Sequence, residues 1–145
     1  MQKREAFTLV ELIIVVIVVG VLAAIAIPRY FKTTERVYDA EGVTILKAIF
    51  DAQKRYLTEH GRYCNQEHSD ECPGGLDVAF PDLAYFDPPK IEGSESHGGT
   101  IGLAYVLRRL PGPDYRLNLW EDGTICCYSP ATEDPCLELD FPICR

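Results

Sequence analysis

One carboxylate in this sequence stands where none is expected. Glu11 lies inside Phe7 to Ile27, a run of 21 residues in which only Thr8 and Glu11 are polar. An ionised carboxylate within a membrane span costs about 2.5–3.5 kcal/mol on insertion scales, so it is normally paired or has a task. If the chain is cut before Phe7, the new amine is four residues from Glu11, about 6 Å along a helix axis. The amine of an adjacent copy is a better partner still, because that pairing sets the axial register of a bundle and avoids two lone buried charges. A Glu11 solvated among headgroups is the competing reading.

The second set is Cys64, Cys72, Cys126, Cys127, Cys136 and Cys144, all beyond the apolar run. No C-x-x-C and no Cys/His pair at zinc-ligand spacing occurs, so disulfides in an oxidising compartment are expected and no metal site is. Cys64 with Cys72 closes a loop directly after a helix. Adjacent strand residues face opposite ways, so Cys126 and Cys127 take separate partners from Cys136 and Cys144, in either order. His60, His68 and His97 are scattered, with no nucleophile motif or Gly-rich phosphate loop beside them, and read as surface residues. The acids Glu67, Asp70, Glu71, Glu121 and Asp122 match no calcium loop and read as solvated charge. No catalytic residue and no cofactor is expected.

These groups must be held by a long helix and a small head. At 1.5 Å per residue the apolar run reaches roughly 30 Å, the hydrocarbon thickness of a bilayer. Lys3 and Arg4 precede it, which keeps the N-terminus cytoplasmic and sends the rest across. Beyond Pro28, apolar residues recur at helical spacing as Tyr38, Ile45, Ile49, Ala52 and Tyr56, and again as Val43, Leu46, Phe50 and Leu57. Two such stripes cover a sheet and touch a neighbour. Gly61 is the expected stop, which makes Phe7 to His60 a helix of 54 residues, about 80 Å. That exceeds what an 85-residue head needs, so half of it must be buried in lipid or in copies of itself. The aromatics Tyr30, Phe31, Tyr38, Phe50 and Tyr56 have helical spacing and read as packing rather than as a conducting stack.

From Gly61 to Gly99 the chain is rich in Pro, Gly and acids and reads as loop. Strands are expected at Leu103 to Leu107, Tyr115 to Trp120 and Thr124 to Tyr128, the last two joined antiparallel by the Asp122-Gly123 turn. Leu137 to Ile143 is a candidate edge, where Pro142 is tolerated. The expected class is α+β: leader 1–6, membrane or filament-core half-helix 7–28, amphipathic half-helix 29–60, and a disulfide-braced head 61–145. The formal charge is −8, or −9 without Met1 to Ala6, and an acidic surface is a poor partner for nucleic acid.

The segment Lys3-Arg4-Glu5-Ala6-Phe7-Thr8-Leu9-Val10-Glu11-Leu12 with the apolar run to Pro28 resembles the N-terminus of the type IV pilin and pseudopilin family. The likeness is close over about the first 60 residues and extends to the rest only in layout. It implies cleavage between Ala6 and Phe7 by a prepilin peptidase, N-methylation of Phe7, an inner-membrane assembly machine and a homo-oligomeric filament, with the subunit in the inner membrane before it enters an extracellular or periplasmic fibre. It also implies a long first helix capped by an antiparallel sheet, and loss of helical order near Gly20 and Pro28 on assembly. The chain departs from the family at Ala6, where Gly is nearly invariant. A major pilin is expected ahead of a pseudopilin or minor pilin, because the Cys-bracketed C-terminal segment is a layout common among pilins. A secreted protein cut after Ala26 and a membrane-anchored monomer are the readings from other classes.

Overall fold

The computed structural model describes residues 8–66, 72, 75–95, 99–109, 113–131, 135–137 and 139–144. Its fold is α+β. A single helix, α1 (Leu9–His60, 52 residues), is followed by four strands: β1 (Lys90–Glu95), β2 (Ile101–Leu107), β3 (Arg116–Trp120) and β4 (Ile125–Tyr128). They form one antiparallel sheet in the order β1-β2-β3-β4. The chain divides into two compact units, Met1–Glu35 and Arg36–Arg145, and α1 contributes to both.

In the first unit the helix is built from β-branched residues, which are mediocre helix formers in water but satisfy all their backbone groups internally when helical. Its large apolar side chains are exposed, from 48% at Ile13 to 72% at Leu9. In the second unit α1 buries Ile45, Leu46, Ile49, Ala52, Gln53 and Tyr56. Those apolar side chains share a core with Phe86, Leu103, Val106, Leu117 and Leu119. The helix stops at Gly61, where φ is +72° and the amide donates to the Leu57 carbonyl at 2.8 Å, an αL cap that a residue with a Cβ resists.

Polar groups then place the loops. Both Glu41 carboxylate oxygens accept at 2.8 Å from the amides of Ala84 and Tyr85. The Tyr115 hydroxyl donates to the buried Asp39 carboxylate at 2.6 Å. Gln53, fully buried on α1, accepts from the Cys64 amide at 2.9 Å and donates to the carbonyls of Cys64 at 2.8 Å and Glu92 at 3.3 Å. That one amide side chain satisfies three backbone groups at the place where the chain leaves the helix and β1 passes it.

Two segments depart from the sequence expectation. The loop expected from Gly61 to Gly99 contains strand β1, whose Lys-Ile-Glu-Gly-Ser-Glu sequence has little β propensity. It is a strand because β2 pairs with it and because Gly93, within a bulge between Ile91 and Ser94, lets it run against the Cys64 backbone. A Cβ on Gly93 would stand 2.5 Å from the Cys64 carbonyl oxygen. Gly93→Ala is therefore expected to destabilise the head by about 1–3 kcal/mol, a loss that thermal unfolding in detergent would read. The expected edge at Leu137 to Ile143 is instead a short 3₁₀ turn at Pro135–Leu137 followed by a single parallel bridge, Ile143 to Cys127. Pro142 has no amide to donate, but its carbonyl accepts from the Cys127 amide at 2.8 Å.

Candidate functional site

At the start of α1, Thr8 and Glu11 satisfy each other. The Glu11 carboxylate accepts from the Thr8 amide at 2.9 Å and the Thr8 hydroxyl at 2.7 Å, and the Glu11 amide donates to that hydroxyl at 3.3 Å. This is a reciprocal capping box, with Thr8 as N-cap and Glu11 as the third helical residue. The signal was present as Thr-x-x-Glu at the head of an apolar run, and reading Glu11 only as a buried charge misses it. A carboxylate at a helix N-terminus also complements the helix dipole. Ala6 and Phe7, the expected cleavage and methylation positions, lie outside the described residues.

From Leu9 to Ile27 the helix is long and apolar enough to cross a membrane, and none of that segment is buried. Gly20 and Pro28 both fall within the unbroken helix, and a Cβ on Gly20 would meet no atom within 4 Å. Proline at an interior position removes one backbone donor, so Pro28 leaves the Ala24 carbonyl without its usual helical partner. Of the five aromatics, Tyr38 stacks on Tyr85 with ring centroids 3.9 Å apart and Tyr56 stacks on His60 at 4.0 Å, while Tyr30 is 69% exposed.

The six cysteines form three disulfides: Cys64–Cys72, Cys126–Cys144 and Cys127–Cys136. Cys126 and Cys127 do point to opposite faces. The Cys127–Cys136 bridge is buried in the core, while the Cys126–Cys144 bridge lies on the other side of β4, where its sulfurs accept from Trp120 Nε1 at 2.9 Å and Asn118 Nδ2 at 3.1 Å. Together with the Pro142 contact they lash the C-terminal segment along the edge of β4.

Among the described residues no group of three or more His, Cys, Asp or Glu is placed to hold a metal ion. His68, His97, Glu67, Asp70 and Glu71 lie outside those residues, and His60 is turned back on its own helix, its Nδ1 3.2 Å from the Tyr56 carbonyl. Asp122 belongs to the β3–β4 turn. Its carboxylate accepts from the Thr124 amide and hydroxyl, both at 2.8 Å, and these bonds hold its pKa below the usual carboxylate range. A lowered folded-state pKa gives stability that is present above the unfolded value, about 4, and is lost as pH falls through the folded value. Asp122→Ala should therefore lower the thermal midpoint at pH 7, and the gap to the parent should narrow in the same scans below about pH 4.

The prokaryotic N-terminal methylation motif matches residues 1–27. Over 61 residues the chain is 48% identical to the type IV major pilin protein PilA of Myxococcus xanthus (strain DK1622), a match covering 42% of this chain and 28% of that protein. Over 136 residues it is 38% identical to the type IV major pilin protein PilE of Neisseria gonorrhoeae, covering 90% of this chain and 78% of that protein. It is also 29% identical over 115 residues to a fimbrial protein of Pseudomonas aeruginosa, covering 77% and 73% of the two chains. No solved structure matches. With the PilE match spanning most of both proteins, and a long N-terminal helix ahead of a four-stranded antiparallel sheet, the chain belongs to the type IV pilin family.

Proposed function

We propose that this chain is the structural subunit of a pilus, made as a membrane-inserted precursor and polymerised through the first half of α1. The observation that carries this reading is the exposed apolar segment Leu9–Ile27, a surface that water does not tolerate. Lipid covers it before assembly, and the same segment of neighbouring copies covers it afterwards. In this reading residues 1–6 are a leader removed by a prepilin peptidase between Ala6 and Phe7, and Phe7 is methylated on its new amine. Residues 7–28 form the filament core, 29–60 the amphipathic half that carries the sheet, and 61–145 the head. An inner-membrane machine draws the subunits from the bilayer into the fibre.

Cleavage changes what Glu11 faces. Before it, the carboxylate is held by Thr8. Afterwards a cationic amine at Phe7 competes for it, and a charge-assisted bond outlasts a neutral one in an apolar bundle. The cap thus keeps the carboxylate satisfied until an incoming subunit offers the charge. Gly20 and Pro28 are the positions at which the rod can locally unwind as it packs.

Mass spectrometry of the mature N-terminus tests this. A chain starting at methylated Phe7 is the expected result. A start at Ile27 would make it a secreted protein, and a retained Met1 an anchored one.

A further inference from the structure

Along the strands, side chains alternate between two faces. Ala104, Val106, Leu117, Leu119 and Cys127 face the core shared with α1. Tyr105, Arg116 and Tyr128 alternate with them and face the other way, and Lys90 is the register partner of Tyr105 as Arg116 is of Tyr128. The Arg116 guanidinium lies 5.1 Å from the Tyr105 ring centroid and 4.7 Å from that of Tyr128, and Lys90 Nζ lies 5.8 Å from Tyr105. These four side chains carry ammonium, guanidinium and two phenol donors. Among the described residues none of them meets a carboxylate or any other acceptor.

Several other cations of the chain are satisfied internally. Arg55 donates to the Asp77 carbonyl, Arg108 to the Tyr85 carbonyl, and Arg109 to Asp87 and the Leu83 carbonyl. The chain carries 22 acids against 14 Lys and Arg, so acceptors are not scarce. Arg116 Nε is screened from solvent without a hydrogen-bond partner, so the guanidinium can meet an outside acceptor only through its terminal nitrogens. The two rings hold the guanidinium as a planar fork, ready to engage an oxyanion bidentately at little entropic cost.

We propose that the Lys90–Tyr105–Arg116–Tyr128 platform binds the carboxylates of an acidic polysaccharide. This rests on reading the chain as a filament subunit. Exposed ion pairs are weak one at a time, so a single platform holds little. A fibre repeats the platform once per subunit, which favours a ligand that itself repeats. The platform also faces away from α1, the element that joins the copies. Duplex nucleic acid repeats too, but it brings a charge every ~1.7 Å to a subunit whose formal charge without residues 1–6 is −9. An acidic polysaccharide carries at most one carboxylate on each uronic sugar, and its rings offer C–H faces to the tyrosines.

The test is co-sedimentation of purified filaments with labelled polygalacturonate, neutral dextran or DNA, using the parent and Lys90→Ala/Arg116→Ala subunits. The expected result is salt-sensitive polygalacturonate binding that falls at least tenfold in the double variant, a smaller loss for Arg116→Lys, and no dextran binding. Equal binding by the double variant would overturn the proposal, and so would a preference for DNA lost in the same variant. The detergent-solubilised full chain, titrated with trigalacturonate and followed by NMR, separates the site from the filament reading. Shifts at Tyr105, Arg116 and Tyr128 at saturating trigalacturonate would uphold the site even if the processed chain, freed of detergent, formed no filaments, whereas filaments from a chain that shows no such shifts would overturn the site and leave the pilus reading standing.

Discussion

Glu11→Ala is expected to leave the chain in the membrane and to abolish filaments. Removing a carboxylate from the apolar run eases insertion by about 2.5–3.5 kcal/mol, so the variant should accumulate in the bilayer at least as well as the parent. Assembly is different. In a bundle of such helices the Phe7 amine of the processed chain would be buried without its counter-ion, and breaking a buried pair by deleting one partner costs about 3–5 kcal/mol. Repeated at every subunit, a penalty of that size stops growth. Alanine also removes the cap that Thr8 shares with Glu11, which contributes about 1 kcal/mol to the helix end. Glu11→Gln separates the two effects, because its amide oxygen still accepts from Thr8 while the charge is gone. The pairing account expects Gln to fail like Ala, with helix content by circular dichroism unchanged. Normal filament yield from Glu11→Gln would make Glu11 a capping residue and nothing more.

The second large effect concerns the disulfides. Their sequence separations are 8, 18 and 9 for Cys64–Cys72, Cys126–Cys144 and Cys127–Cys136. Loop-closure entropy makes each worth about 2.5–3 kcal/mol, with the Cys126–Cys144 loop at the top of that range. The two C-terminal loops overlap, so the three together contribute less than their sum, about 5–8 kcal/mol, comparable to the whole stability of a small domain. Full reduction is expected to unfold the head, while the helix 9–35 persists in detergent. Among paired Cys→Ser variants, the Cys127/Cys136 pair should be the most damaging despite its shorter loop. Its sulfurs are buried in the core, where two hydroxyls would need partners that the apolar surroundings lack. Thermal midpoints of the three paired variants, taken with and without reductant, check the order.

Periodicity made α1 legible because its two stripes repeat over many turns, and the hairpin β3–β4 was legible because Asp122-Gly123 is a local signal. The candidate partners of Cys126 and Cys127 followed from strand alternation, while the choice between them did not. It depends on the 3₁₀ turn at Cys136, which sets that thiol under the sheet. β1 was hidden for a different reason. Its strand character comes from β2 and from the Gln53 and Cys64 backbone contacts, all distant in sequence, and its own residues argue against it. Asp39 and Glu41 carry no local sequence signal of their role. They are anchors for Tyr115 and for the loop before Phe86, a role that becomes visible only when residues about forty or more apart meet. In the N-terminal segment a local motif, the capping box, is masked in sequence by the stronger signal of a carboxylate inside an apolar run.

The account stands on residues 9–27 being hidden from water by copies of themselves. Cryo-imaging of purified, protease-verified fibres tests this most directly. The prediction is a fibre whose centre is a bundle of these apolar helices, with the disulfide-bonded sheets outside it. A processed chain that remains monomeric in detergent-free buffer with the segment open to solvent, or a fibre joined through its sheets with those helices outside, would contradict it.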